Sequence, residues 1–312
     1  MDNLKRYNPL FVKYKQKYQQ KVAKIALNAN FTCPNKDGKK GYGGCIYCSK
    51  LGSGDTAGNK DLTLKLQFQE IKQKIERKWP NSLFIPYLQA NSNTYSSLDN
   101  LKKIYEEIIS LDPKIVELAI ATRPDCFSDE IYDYLEKLNR RIPLTIELGL
   151  QTANEHTALY INRCLTNQEF VVCVNELRKR KIEVVVHIIN GLPNETEKDM
   201  LNTIDFINQL DIQGIKFHTL LILKDTKLAD IYFKNPFPIM SLDEYANILS
   251  KQIAKLKPSI VIYRLSADAK KDDLIAPKWP LKKLVVNNTI DKLLKEKNIY
   301  QGIDFKESNH HH

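Results

Sequence analysis

The chain has 312 residues, 43% hydrophobic and 27% charged, enough for one large domain or two ordinary ones of a soluble globular protein. The N-terminal MDNLKRYNPLF lacks the apolar stretch of a signal peptide and no uncharged apolar run approaches a membrane span, so a cytoplasmic protein with no membrane partner is expected. The net charge of +10 is uneven: residues 1–40 carry ten Lys or Arg against two acids and residues 251–309 thirteen against seven, leaving the middle of the chain at −4. Such basic ends suit a polyanion, nucleic acid being the usual one, or else record only a lysine-rich surface.

In chain order, short apolar runs occur at VAKIALN (22–28), SLFIPYL (82–88), IVELAIA (115–121), LTIELGL (144–150), EVVVHII (183–189) and GIKFHTLLI (214–222). Between them lie helical patterns such as LTLKLQFQEIKQKIERKW, LDNLKKIYEEIISL, FSDEIYDYLEKL, NQEFVVCVNELRKR and EKDMLNTIDFINQL. After the first interval the strands start about every thirty residues, the length of a βα unit, and their continuous apolar character argues for a parallel sheet covered by helices. No G-x-G-x-x-G follows any strand, so the six units read as an α/β fold of partial (β/α)6 TIM-like barrel type. In such barrels the chemistry sits in loops at the strands' C-terminal ends, here Asn28 and Asn30, Gln89 to Tyr95, Thr122 to Cys126, Gln151, and Asn190 to Thr196. From about residue 235 a helix, a short strand (SIVIYRL), a loop and a basic helix read as a C-terminal α/β extension. The expected organisation is a core barrel with a basic N-terminal segment over 1–235, the extension over 236–309, and His310, His311 and His312 as a tag remnant.

Cys33, Cys45 and Cys48 fall together in CPNKDGKKGYGGCIYC, the loop leaving the first strand. In a reducing compartment such a cluster points to metal or catalysis more than to a disulfide. A structural zinc site needs a fourth Cys or His, and the nearest histidine, His156, is more than a hundred residues on. A [4Fe-4S] cluster held by three thiolates leaves one iron open to hold and reduce a small molecule, which accounts better for three cysteines. Gly41, Gly43 and Gly44 let the backbone wrap closely around it.

This C-x11-C-x2-C pattern, with Tyr47 before the last cysteine, resembles the radical S-adenosylmethionine (SAM) enzymes, whose usual first gap is shorter. The expanded gap and the glycine-rich GGCIYCSKLGSGD resemble the branch containing the Elongator catalytic subunit. NANFTCPNKDG, LQANSNTYSS, IATRPDCFSDE, IELGLQTANEHTALYINR, VHIINGLPNETEKDM, GIKFHTLLILKDTKLA and IVIYRLSADAKKDDLIAPKW resemble its bacterial MnmL-type group, collinearly from about residue 6 to residue 290. The resemblance implies a barrel of radical SAM type, a [4Fe-4S] cluster on Cys33, Cys45 and Cys48, and SAM chelating the open iron. It implies cofactor contacts from Tyr47, from Gln89, Asn93 and Thr94 after the second strand, and from Gln151 and Arg163 in GLQTANEHTALYINR. His187 stands where a relative holds an acidic residue, and reads equally as a buried, satisfied histidine. The resemblance also implies a reductant such as flavodoxin or ferredoxin, and tRNA as substrate. The wobble-uridine carboxymethylaminomethyl side chain would become aminomethyl, for a separate tRNA methyltransferase. A metabolite or protein substrate, and a non-enzymatic metal-containing RNA-binding protein, are the alternatives.

Other residues carry weaker signals. Cys126 in TRPDC and Tyr95 are candidate catalytic hydrogen-atom donors, against the plainer reading of a packed cysteine and a capped loop tyrosine. Lys216 and His218, two apart on the sixth strand, share one face and are candidates to meet substrate or adenine, while Lys216 also reads as solvated at the strand mouth. Glu147, amid apolar strand residues, needs a partner such as Arg123. Cys164 and Cys173 fall in helical patterns and read as core. GSGDTAG (52–58) lacks the Lys-Ser/Thr ending of a phosphate loop and reads as packing around the cluster.

Overall fold

The alternation of apolar run and amphipathic pattern is realised as a parallel sheet wrapped by helices. The computed structural model describes residues 5–50, 52 and 57–307; residues 53–56 of GSGDTAG and the terminal histidines lie outside them. After α1 (Leu10–Tyr18) come β1 (Val22–Leu27), α2 (Leu64–Lys78), β2 (Leu83–Leu88), α3 (Leu98–Ile109), β3 (Leu118–Thr122), α4 (Asp129–Asn139) and β4 (Leu144–Gln151). Then follow α5 (Glu155–Tyr160), α6 (Asn167–Lys179), β5 (Glu183–Asn190), α7 (Glu197–Asn208) and β6 (Gly214–Thr219). The chain ends with β7 (Ile222–Leu223), α8 (Lys227–Lys234), α9 (Leu242–Lys255), β8 (Val261–Arg264), β9 (Leu274–Ala276) and α10 (Lys283–Glu296).

Strands β1 to β6 pair in sequence order, all parallel, and curl into a partial barrel. Their helices start where the sequence supplies caps. Thr63, Ser97 and Ser128 accept from the first turns of α2, α3 and α4, and Thr166–Glu169, Thr196–Asp199 and Ser241–Glu244 form capping boxes. The extension differs from expectation: β8 adds parallel to β6 as a seventh strand, so it completes the sheet. The run predicted over 214–222 breaks at Thr219, after which β7 turns away to pair antiparallel with β9.

Strand alternation gives the sheet two different faces. Ile25, Leu27, Leu118, Ile120, Leu144, Ile146, Leu148, Val184, Val186, Ile215 and Phe217 point outward into the main apolar core beneath the helices, which also takes Cys173. The residues between them line the concave face, and these include Lys24, Glu147, His187 and Lys216. Helix α1 packs against both β1 and β8, across the open side of the sheet, with Ile262 N donating to Asn8 O at 2.7 Å. The two basic ends meet there: Lys5 pairs with Asp291, Arg6 bonds Asn298 at 2.8 Å, and Asn8 N bonds Gln301 Oε1 at 2.8 Å. No helix among the described residues is long and apolar enough to cross a membrane.

Candidate active site at the barrel mouth

The cysteine loop leaves β1 at the C-terminal end of the sheet and is held by a dense set of local bonds. Gln67 of α2 clamps its start, accepting from Asn28 N at 2.9 Å and donating to Asn28 O at 3.0 Å. Lys36 N bonds Cys33 O at 2.8 Å, Gly44 N bonds Asn35 O at 2.7 Å, and Cys48 N bonds Cys45 O at 3.0 Å. Gly44 has a left-handed φ of 79°, and a Cβ on Gly41 would sit 2.3 Å from Asn35 Oδ1, so only glycine permits this close wrap. Asn35 and Asn162 brace the loop from behind: Asn35 Nδ2 donates to Asn162 O at 2.6 Å, and Asn162 Nδ2 to Gly44 O at 2.8 Å.

Cys33, Cys45 and Cys48 border one cavity of about 970 Å³, its open mouth included, which runs down the concave face. Among the described residues no three His, Cys, Asp or Glu converge on a single metal ion. Three thiols bordering one cavity match the three thiolates that hold a four-iron cube when one iron is left open. The Cys48 thiol, Arg123, Tyr47 and Asn35 together hold the Cys45 thiol down at about 6 against its burial, which favours the thiolate a cluster needs. The buried Asn35 Oδ1 has no partner among the described residues, and Lys36 lies on the cavity wall, donating to Asn91 Oδ1 at 3.1 Å. The donor set therefore fits a [4Fe-4S] cluster.

Below the mouth, the concave face carries an ionic network. Glu147 of β4, fully buried, accepts from Lys24 of β1 at 2.7 Å, from His187 of β5 at 2.8 Å, and from Lys216 of β6. Burial opposes its charge, yet Lys216, Lys24 and His187 hold its carboxyl well below the usual range. Burial, with Lys216 nearby, pushes His187 down to about 4. The expected partner Arg123 is instead engaged with Asp125 at 2.9 Å and with the carbonyls of Arg163 and Cys164.

The structure brings Tyr47, Gln89, Gln151, Arg163 and His187 to the same cavity as the three cysteines. Gln151, at φ 68°, folds back over Gly149, where a Cβ would stand 2.5 Å from its Nε2. Arg163 touches the cavity but is 1% exposed, and its guanidinium is committed to the carbonyls of Leu150, Thr152 and Leu165 and to Glu155 and Asn167. In this arrangement it braces the β4 loop and has no fork left for a carboxylate. Asn93 and Thr94 also differ from expectation. Asn93 Nδ2 ties down the carbonyls of Leu88 and Ala121, and Thr94 Oγ1 bonds Thr122 Oγ1 at 2.6 Å. Their neighbours Asn91 and Ser92 border the cavity in their place.

Tyr95 and Cys126 do meet, but in a separate surface cleft with Lys39, Lys40 and Asp125, outside the main cavity. Burial pushes the Cys126 thiol up, as for a packed cysteine. Cys164 is not helical: it lies between α5 and α6 with φ 51°. Sequence reasoning missed Lys36, Tyr87 and Arg264 on the cavity wall, whereas Asn91 and Ser92 fall inside the Gln89 to Tyr95 loop that it marked. Only strand alternation, applied to β2 from Ile85 through Tyr87 to Gln89, marks one of them in advance.

The Radical SAM superfamily profile matches residues 38–207, and the Radical_SAM C-terminal domain profile residues 212–296. The chain belongs to the radical SAM superfamily, whose cofactors are a [4Fe-4S] cluster and SAM. It is 41% identical over 302 residues to YtqA of Bacillus subtilis (strain 168), covering 97% of this chain and 94% of that one. It is 31% identical over 265 residues to YhcC of Escherichia coli (strain K12), covering 85% and 84%. A more distant match is the tRNA-2-methylthio-N(6)-dimethylallyladenosine synthase of Fusobacterium nucleatum, 26% identical over 151 residues, 46% of this chain and 34% of that one. Among solved structures, the archaeal Methanocaldococcus infernus Elp3 shares the fold with a TM-score of 0.68 at 15% identity. That likeness covers 90% of this chain but 64% of the Elp3 chain, so under two thirds of Elp3 is represented here.

Proposed function

We propose that this radical SAM enzyme modifies the wobble uridine of tRNA, converting a carboxymethylaminomethyl side chain to aminomethyl. The carboxymethyl N–CH2 bond is oxidised and hydrolysed, its two carbons leave as glyoxylate, and the two electrons are taken up as SAM becomes methionine and 5′-deoxyadenosine. The observation that carries the reading is the meeting of the two basic ends on one side of the barrel, through Lys5–Asp291 and Arg6–Asn298. Exposed Lys15 and Lys17 of α1, Lys292 and Lys295 of α10, and Lys297 just after it lie on the elements so joined, a footprint for phosphates outside a deep pocket. The tRNA-modifying name of the distant Fusobacterium relative points the same way.

When bound, the cluster and SAM supply a 5′-deoxyadenosyl radical as hydrogen-abstracting agent. The chain's own residues do the rest. Cys33, Cys45 and Cys48 hold the cluster, and Gln89, Gln151 and His187 border the space for SAM and the base. The curled sheet supplies the wall on which these residues converge. A reductant such as flavodoxin or ferredoxin supplies the electron, and a separate tRNA methyltransferase takes the product.

The test is incubation of anaerobically reconstituted, reduced protein with SAM and tRNA from a strain lacking this gene, followed by mass spectrometry of the hydrolysed nucleosides. Loss of carboxymethylaminomethyluridine with matching gain of aminomethyluridine, absent with Cys45→Ala, is the expected result. An unchanged nucleoside profile while SAM is cleaved sinks the wobble-uridine reading.

A further inference from the structure

The ionic network inside the barrel does not balance. Lys24 and Lys216 face the single carboxylate of Glu147, with side-chain exposures of 20%, 8% and 0%. His187, neutral near pH 7, adds no charge, and Arg264, 2.8 Å from Asp268, shares that carboxylate with the exposed Lys283 at 3.1 Å. The wall is one negative charge short, and a buried ammonium without a counter-charge is costly. The shortfall is felt at Lys216, which burial pushes down to about 7.

That shortfall faces open space. Lys216, Arg264 and His218 line the cavity that the cysteines border. Lys216 Nζ bonds Glu147 and, at 3.4 Å, the Tyr87 hydroxyl, leaving one of its three donors. Arg264 makes one recorded bond, from Nη2 to Asp268, and its other donors meet no acceptor among the described residues. His218 Nε2 is buried without a partner among the described residues. Lys216 is the register partner of Arg264 on β8, and His218 is two residues further along β6 on the same face. Lys216 is the third residue of β6, whereas the cysteine loop begins beyond the end of β1, so Lys216 sits deeper along its strand than the cysteines do along theirs.

We propose that Lys216, Arg264 and His218 form an anion subsite that takes one carboxylate group of the substrate. A carboxylate fits better than a phosphate: the deficit is a single charge, and two oxygens can bridge an ammonium and a guanidinium. The subsite stands on this geometry. It rests on the wobble-uridine reading only for what carries the carboxylate, since a carboxymethylaminomethyl group bears one.

The test uses the cluster-loaded protein near neutral pH and acetate as probe. Reductive methylation of Lys216, read by peptide mass spectrometry, is compared in acetate and in chloride. Acetate is expected to slow labelling about threefold or more in the wild type and in Arg264→Lys, but not in Arg264→Gln. Equal labelling in both salts overturns the subsite. SAM affinity in Arg264→Gln is expected to stay within about twofold of wild type; a loss of about tenfold would mean the cluster holds SAM's own carboxylate, and overturns the proposal. Last, anticodon stem-loops carrying carboxymethylaminomethyl- or aminomethyluridine are compared, with about tenfold preference for the first expected in the wild type and lost in Arg264→Gln. Acetate protection with equal stem-loop binding would uphold the subsite while removing the wobble-uridine reading.

Discussion

The mouth of the barrel and its floor lie on the same strands but are assembled in opposite ways. At the mouth, the three cysteines fall between residues 33 and 48, and the loop is shaped by bonds among near neighbours such as Gly44 N to Asn35 O. At the floor, Lys24, Glu147, His187 and Lys216 come one each from β1, β4, β5 and β6 and meet only because the sheet curls. A cysteine at the mouth serves a cofactor, and the scaffold stands without it. A charge at the floor serves its buried partners, and removing it strands them. Mouth variants should therefore lose chemistry and keep stability, whereas floor variants should lose stability whatever they do to substrate binding.

The largest effect is expected for Cys45→Ala. Iron content and visible absorbance should fall, and SAM cleavage should drop about a hundredfold or more, with the thermal midpoint nearly unchanged. Retained cleavage would remove Cys45 from the cluster. Glu147→Leu should destabilise the fold by about 3–5 kcal/mol in urea titrations, because two ammonium groups lose their counter-charge. Adding Lys216→Met should recover part of that loss; a cost near zero for the single variant would erase the contrast between the regions.

The floor should also show in the pH dependence of stability. Lys216 ordinarily titrates at 10.5 but at about 7 in the fold, so between these values the unfolded chain binds a proton that the folded one does not. Stability contributed by this group thus rises with pH across that window, by an amount on the order of a few kcal/mol. Lys216→Met should flatten the slope relative to wild type, and identical slopes would contradict the depressed lysine. Gly149→Ala is a milder probe of the mouth: its Cβ displaces Gln151, and SAM affinity should weaken about tenfold with little change in stability. The smallest effect is expected for Cys126→Ala and Tyr95→Phe, which should keep SAM cleavage within about twofold, since their cleft is separate from the cavity.

Much of the mouth was legible in the chain, because C-x11-C-x2-C and its glycines are contiguous and the strand runs are apolar and evenly spaced. The floor was legible only in part. Glu147 and Lys216 stand out as charged residues within strands, but pairing them requires the register and curl of four strands, and Arg123 was the more obvious sequence partner. Arg163 and Asn93 show a second limit: a motif gives a residue's place, but buried carbonyls at strand ends compete for its donors. The seventh strand was hidden because SIVIYRL follows a long excursion through β7, α8 and α9, where the thirty-residue rhythm no longer holds.

The most direct measurement is 5′-deoxyadenosine formation by the anaerobically reconstituted, reduced protein with SAM, with and without tRNA from a strain lacking this gene. A tRNA-dependent rise that disappears in Cys45→Ala is the expected result. Cysteine-dependent formation indifferent to tRNA would contradict the substrate assignment, and no formation under any condition would contradict the site itself.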